Sequence, residues 1–152
     1  MTMDEVKKIL VPVGFDAFTE KELEIAANIA KRYDAEVHIL HVYQDVFSVL
    51  SMRTLDLDRA AVEEKIHSSV EEKLHQLVAE VRMDSPAKAV AIKGEIVDSI
   101  IEYVKNEQID LVVLATHGRA GISHFFLGSV AENVIRFSPC PVLTFRTPPK
   151  KD

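Results

Sequence analysis

The sequence has one cysteine, no long apolar run and no excess of positive charge. Cys140 is the only cysteine among 152 residues, so no disulfide can form within the chain, and a reducing cytoplasm is the expected location. No apolar stretch approaches the roughly 18 residues of a membrane span. The acidic N-terminal residues lack the apolar segment of a signal peptide. A formal net charge of -6 argues against a nucleic-acid partner, because phosphates need a broad basic surface.

Apolar segments of strand and helix period alternate along the whole chain, whose length suits a single domain. We predict strands over 6–13, 36–42, 87–93, 109–115 and 141–146. We predict helices over 19–33, 58–82, 96–105 and 129–137, the first of them starting with a capping box from Thr19 to Glu22. The segment 44–57 is too apolar for a solvated loop and suggests a flap or a partner surface. This order predicts an α/β fold with an open, mainly parallel sheet and right-handed crossovers.

Ligands of such sheets bind outside the carboxyl ends of the strands, where the strand order reverses. Two turns are candidates for this mouth: the one after the first strand, at Gly14 and Asp16, and the one after the fourth strand, from Ala115 onward. The phosphate-binding patterns G-x-x-x-x-G-K-[ST] and G-x-G-x-x-G are both absent, so a phosphate site here would be of another kind.

The chain passes from the fourth strand through Gly118 and Gly128-Ser129 into the last predicted helix. Backbone N–H groups beside glycine and the positive end of a helix dipole bind phosphate well, and Ser129 adds a hydroxyl. Arg119 is either a cation for a phosphate tail or a solvated surface residue. A simpler interpretation stays open, because Ser129 and Glu132 match a capping box and the glycines suit ordinary turns.

The segment Ala115-Thr116-His117-Gly118, nine further residues and then Gly128-Ser129 resemble the G-x2-G-x9-G-[ST] signature of the ATP-binding universal stress proteins. The resemblance extends over nearly the whole chain, from Lys8-Ile9-Leu10-Val11-Pro12-Val13 to Ser138-Pro139-Cys140-Pro141-Val142-Leu143. It implies a five-stranded sheet in the order 3-2-1-4-5, with helices on both faces, as in the adenine nucleotide alpha hydrolase-like fold.

The same resemblance implies roles for individual residues. Gly118, Gly128, Ser129 and the backbone N–H of Val130 would line the phosphates. Residues near the base and ribose would be Pro12, Val13 and Val42. The family commonly forms homodimers through its last strand, which corresponds here to Val142, Leu143, Thr144 and Phe145, an apolar edge that would be a hazard if left exposed.

Two positions depart from the family signature. Ala115 stands where the first motif glycine is expected, and its methyl group would obstruct a close approach of the ligand. Gly14 replaces the usual acid after the first strand. Asp16, two residues on, either compensates for that acid or serves as a turn residue at the start of the helix.

The resemblance therefore implies a cytoplasmic stress-response protein that binds ATP, ADP or AMP and signals through its conformation or through an unknown protein partner. Magnesium would arrive with the nucleotide, held mainly by phosphate oxygens and water. We find no nucleophile–base pair that would indicate catalysis and no close cluster of metal ligands. Two alternatives remain: a dimeric interaction module that has lost nucleotide binding, and a slow ATPase.

Overall fold

Strands and helices alternate around one parallel sheet, as predicted. The computed structural model of the protein describes residues 2, 5–45, 58–116 and 128–146. The strands are β1 Lys8–Pro12, β2 Glu36–Tyr43, β3 Ala87–Lys93, β4 Leu111–Ala115 and β5 Val142–Phe145. The helices in these residues are α1 Thr19–Tyr33, α2 Arg59–Val81, α3 Ile96–Asn106 and α4 Ser129–Phe137. The strand order is β3-β2-β1-β4-β5 and every pair is parallel, which confirms the expected topology.

Two apolar layers cover the sheet, because successive side chains of a strand point to opposite faces. On one face, Val11 and Val113 pack with residues of α1 and α2. On the other face, Leu10 and Val112 pack with residues of α3 and α4. All five residues of β4 are buried, as expected for a strand covered on both sides.

The prediction of where α1 begins is confirmed, but the predicted capping box is wrong. Phe18 is the N-cap residue and no side chain caps the helix. The hydroxyl of Thr19 instead accepts a hydrogen bond of 3.1 Å from the backbone N–H of Asp16. Glu22 does not turn back to the helix terminus, because its side chain is buried beneath the helix at the end of β4.

The helix predicted over 58–82 is observed as α2, and Leu74 is its one fully buried residue. Most of the segment predicted as a flap or partner surface, 46–57, lies outside the described residues. Within the part of the chain that is described, no helix combines the length and apolar character needed to cross a bilayer.

Candidate functional site

The ladder between β1 and β4 ends early, at the edge of the sheet where the strand order reverses, and the region beyond its end is called the opening here. β1 and β4 pair at two positions, the last of which is Leu10 with Val112. β1 and β2, in contrast, pair at five positions. The N–H of Val13 donates to Leu40 O in β2, so the residue before it directs its backbone toward β4. That residue is Pro12, which has no N–H to donate, and the ladder ends before it. The predicted mouth therefore lies where this ladder ends.

Glu22 of α1 reaches into this opening. Its Oε1 accepts a hydrogen bond of 3.2 Å from the backbone N–H of Ala115, the last residue of β4. Thr116 N–H donates to Phe145 O in β5, so the N–H of Ala115 faces β1, where the ladder has already ended. Glu22 is 3% exposed, and its Oε2 has no hydrogen-bond partner among the described residues.

Burial raises the pKa of Glu22 to about 8. The hydrogen bond from Ala115 acts in the opposite direction, and the nearby charge of Asp16 raises the pKa further. The Glu22 carboxyl is therefore largely neutral at pH 7. A buried acid with so altered a pKa is typical of functional sites.

The turn that follows β1 is organised by Asp16. Its Oδ1 accepts hydrogen bonds from the backbone N–H of Phe18 at 2.9 Å and from the hydroxyl of Thr19 at 3.4 Å. A Cβ added to Gly14 would lie 3.0 Å from the other oxygen, Oδ2. Asp16 is thus the turn residue that one interpretation of the sequence expected. Its carboxylate also lies beside Gly14, where the family's usual acid would stand, and a contact with nucleotide remains a prediction.

The predicted base and ribose contacts lie at the ends of the neighbouring strands β1 and β2. Val13 and Val42 are buried and Pro12 is half-buried. The carbonyl oxygen of Val13 accepts a hydrogen bond of 2.7 Å from Nδ1 of His41, whose ring centroid is 4.5 Å from that of Phe15. Phe15 has a φ of 54°, a left-handed conformation that costs a side-chain-bearing residue about 1 kcal/mol or more. Backbone strain therefore accompanies the loop at the mouth.

The N-terminus of α4 points to the same edge of the sheet, because α4 connects the carboxyl end of β4 to the beginning of β5. Gly128 is the N-cap residue, and Ser129 makes no capping hydrogen bond. The first intrahelical bond runs from Glu132 N–H to Gly128 O, at 3.0 Å. Among the described residues the N–H groups of Ser129 and Val130 have no partner. The capping-box interpretation is therefore wrong, and these donors are available to an anion.

Two predicted phosphate contacts, Gly118 and Arg119, lie outside the described residues. Their roles stay predictions. The Cys140 thiol is half-buried beside the hydroxyl of Ser138, and burial raises its pKa, which suits a packed thiol rather than a reactive one.

A cavity of about 510 Å³ lies elsewhere, between α1 and α2. Acidic side chains outnumber basic ones around it, so it is poorly suited to a polyanion. Its lining includes Glu20, Glu24, Lys31, Glu80, Arg82 and Asp84. In the described ranges no group of three or more side chains could hold a metal ion.

The sequence analysis did not assign Glu22 to this site. A signal was present, because Glu22 precedes the buried Ala26 by four residues and Ala30 by eight, which places it on the buried stripe of α1. The match to a capping box instead gave Glu22 a role at the helix terminus.

Comparisons with known proteins agree with the fold. The model of the universal stress protein family matches residues 5–146. Universal stress protein MJ0531 of Methanocaldococcus jannaschii is 31% identical over 150 residues, which are 95% of this chain and 85% of that protein. The solved structure of MJ0577, from the same organism, has a TM-score of 0.77 at 25% identity and covers 95% of this chain and 99% of its own.

Two solved structures with bound nucleotides share the fold. A universal stress protein from Archaeoglobus fulgidus in complex with dAMP has a TM-score of 0.64 at 22% identity, covering 91% of this chain and 96% of its own. A universal stress protein in complex with cAMP has a TM-score of 0.65 at 20% identity, covering 93% of this chain and 97% of its own.

Proposed function

The chain belongs to the universal stress protein family, and from this membership we propose that it binds an adenine nucleotide, ATP in the first instance, in the opening between β1 and β4. Binding makes it a cytoplasmic regulatory module that responds to the nucleotide through its conformation or its partners. Magnesium accompanies the nucleotide, held by phosphate oxygens and water.

One observation carries this proposal: N–H donors at the start of α4, which have no partner among the described residues, lie at the same edge of the sheet as the end of the β1–β4 ladder. Gly128 has no side chain to keep a phosphate away from Ser129 and Val130. Relatives of the same fold are bound to dAMP and cAMP, which supports an adenine nucleotide as the ligand. Gly118 and Arg119 are proposed to complete the phosphate contacts.

Thermal unfolding with and without ATP tests the proposal. A ligand at about 100 times its Kd stabilises the folded state by about 2.7 kcal/mol, which raises the Tm of a domain of this size by roughly 5–10 °C. Ser129→Ala removes one hydrogen bond to a charged group and should weaken ATP binding about tenfold. Ser69→Ala is the matched control, because Ser69 is exposed on α2. A parallel series with EDTA measures the contribution of magnesium.

An unchanged Tm in saturating ATP, together with no nucleotide released from gently purified protein, would contradict the proposal. It would favour the second candidate, an interaction module that has lost nucleotide binding. Ala115 supports that candidate, because it stands in place of the first motif glycine. It is 3% exposed, and its N–H already donates a hydrogen bond to Glu22. The Ala115→Gly variant distinguishes the two candidate functions. Tight ATP binding in this variant alone indicates that the parent protein has lost nucleotide binding, whereas comparable binding in both proteins indicates a functional site.

We also propose that β5 pairs with its copy in a second chain to form a homodimer. In the described residues β5 pairs with β4 alone. The backbone of Phe145 faces β4, because its carbonyl accepts from Thr116. Alternation then directs the N–H of Thr144 to the free edge, and unpaired edges of this kind readily accept another strand.

Thr144→Pro tests this dimer, since it deletes a donor on the free edge and leaves the β4 ladder intact. Light scattering at micromolar concentration should give a dimer for the parent protein and for the Thr144→Val control, and a monomer for the proline variant. A monomeric parent protein would refute the proposal.

A further inference from the structure

Glu22 has features that a purely structural residue would not need. Its carboxyl satisfies one backbone N–H, that of Ala115, and leaves Oε2 without a partner among the described residues. The neighbouring charge of Asp16 is of the same sign, so Glu22 is not half of an ion pair with it. A neutral amide side chain would satisfy the N–H of Ala115 without the cost of burying an acid.

The position of Glu22 connects the first turn of α1 with the last residue of β4. Ala115 stands three residues before Gly118, a proposed phosphate contact. An ionised carboxylate at this point would repel a polyanion, whereas a neutral carboxyl would not. The charge state of Glu22 and the occupancy of the opening must therefore influence one another, since any coupling between two binding events is reciprocal.

We propose that Glu22 is a positioning residue of the nucleotide site: its neutral carboxyl holds Ala115 at the end of β4, and the anionic ligand binds together with the proton that keeps this carboxyl neutral. The inference rests on the proposed function and deepens it, because it adds a proton to the binding reaction. The proton comes from solvent, and no covalent bond changes.

Among the described residues, three other titratable groups lie around the turn after β1. Asp16 acts on Glu22 from the turn after β1. His41 of β2 and Lys73 of α2 both lie against the ring of Phe15, Lys73 with its Nζ 5.7 Å from the ring centroid. The strand positions that pack against α1 in β1 and β4 are apolar. Glu22 is therefore the buried acid whose proton the binding reaction should involve.

Calorimetric titration of the intact protein with ATP, between about pH 6.5 and about pH 9.5, tests the inference. We expect the affinity to be constant at the acidic end and to fall roughly tenfold at the alkaline end, which corresponds to a rise of about one unit in the pKa of Glu22 on binding. Two buffers of different ionisation enthalpy should reveal uptake of a fraction of a proton near pH 8. cAMP serves as a second probe, because its phosphodiester does not titrate in this range.

Glu22→Gln should abolish both the fall in ATP affinity at alkaline pH and the proton uptake on binding, since glutamine imitates the neutral carboxyl at every pH. Glu20→Gln is the matched control: it lies in the same turn of α1, is exposed and should behave like the parent protein. If Glu22→Gln fails to fold, the number of protons that the parent protein takes up on ATP binding tests the inference by itself. Binding of both probes without pH dependence or proton uptake would overturn this inference only. Absence of binding at every pH would overturn the proposed function, and this inference with it.

Discussion

Glu22→Gln is expected to stabilise the ligand-free protein at neutral and alkaline pH, because it removes an acid that folding withdraws from water. The variant retains an oxygen that can accept the hydrogen bond from Ala115 N–H. Its amide replaces Oε2, which has no partner among the described residues. At pH values where the carboxyl is neutral in the folded and the unfolded protein, the two side chains are nearly equivalent.

The magnitude follows from the difference in pKa between the two states. Burial raises the pKa of Glu22 from 4.5 to about 8, so between these values the folded protein retains a proton that the unfolded chain releases. The contribution of Glu22 to stability is therefore most favourable below about pH 4.5, declines as the pH rises and becomes constant above about pH 8. Each pKa unit corresponds to about 1.4 kcal/mol, which gives a cost of about 3 kcal/mol at pH 7 and about 5 kcal/mol above pH 8. For a domain of this size, the cost at pH 7 corresponds to roughly 10 °C in Tm.

Urea unfolding followed by circular dichroism, at several pH values from about 4.5 to about 9, measures this difference. Other groups titrate equally in both proteins, so the informative quantity is the free energy of unfolding of the variant minus that of the parent. It should start near zero and rise with pH, while Glu20→Gln stays close to zero throughout. A constant difference, or a variant less stable at every pH, would refute the assignment of a buried neutral carboxyl.

Two further predictions concern the core and the turn after β1. Burial lowers the pKa of His38, against a smaller opposite effect of Glu36, so the contribution of His38 to stability should be complete above about pH 6.5, the ordinary pKa of histidine, and should be lost as the pH falls below it. Tyr103→Phe removes a hydrogen bond of 2.7 Å to this ring and should cost about 1 kcal/mol in urea unfolding, and an unchanged midpoint would contradict the contact. Gly14→Ala would bring a Cβ to 3.0 Å from Oδ2 of Asp16, so we expect a Tm lower by a few degrees, and an unchanged Tm would show that the carboxylate moves freely.

The topology could be predicted because the apolar pattern and the order of elements leave few alternatives. The five buried residues of β4 form an uninterrupted apolar run, which is typical of a strand covered on both faces. The predicted ends of the strands are less accurate than the predicted topology. The first strand was predicted over 6–13 and is observed at Lys8–Pro12, although Val6 and Val13 are both buried. Burial extends past the ladder there, and the sequence reveals burial better than it reveals hydrogen bonds.

The candidate site could be predicted only where the information was local. A strand, a segment with glycine and a helix start indicate Gly128 and Ser129 without knowledge of the rest of the fold, and the family resemblance adds Val130. The role of Glu22 depends on how α1 is rotated against the sheet. Thr19 and Glu22 have the spacing of a capping box, and only the packing of α1 decides whether the acid turns back to the helix end or inward to β4.

The end of the β1–β4 ladder and the buried acid lie at the same place in the fold. Pro12 faces β4 without an N–H, so it can donate no hydrogen bond to a β4 carbonyl, and the ladder between β1 and β4 ends at Leu10 and Val112. Just beyond that ladder, Glu22 accepts the hydrogen bond of the Ala115 N–H, a donor that would cost about 1–3 kcal/mol if it were left unpaired in an apolar environment. The carboxyl ends of β1 and β4 are also the edge at which the strand order of this sheet reverses, and ligands of such sheets bind at that edge. The acid that holds the end of β4 is therefore placed to respond when a ligand binds there.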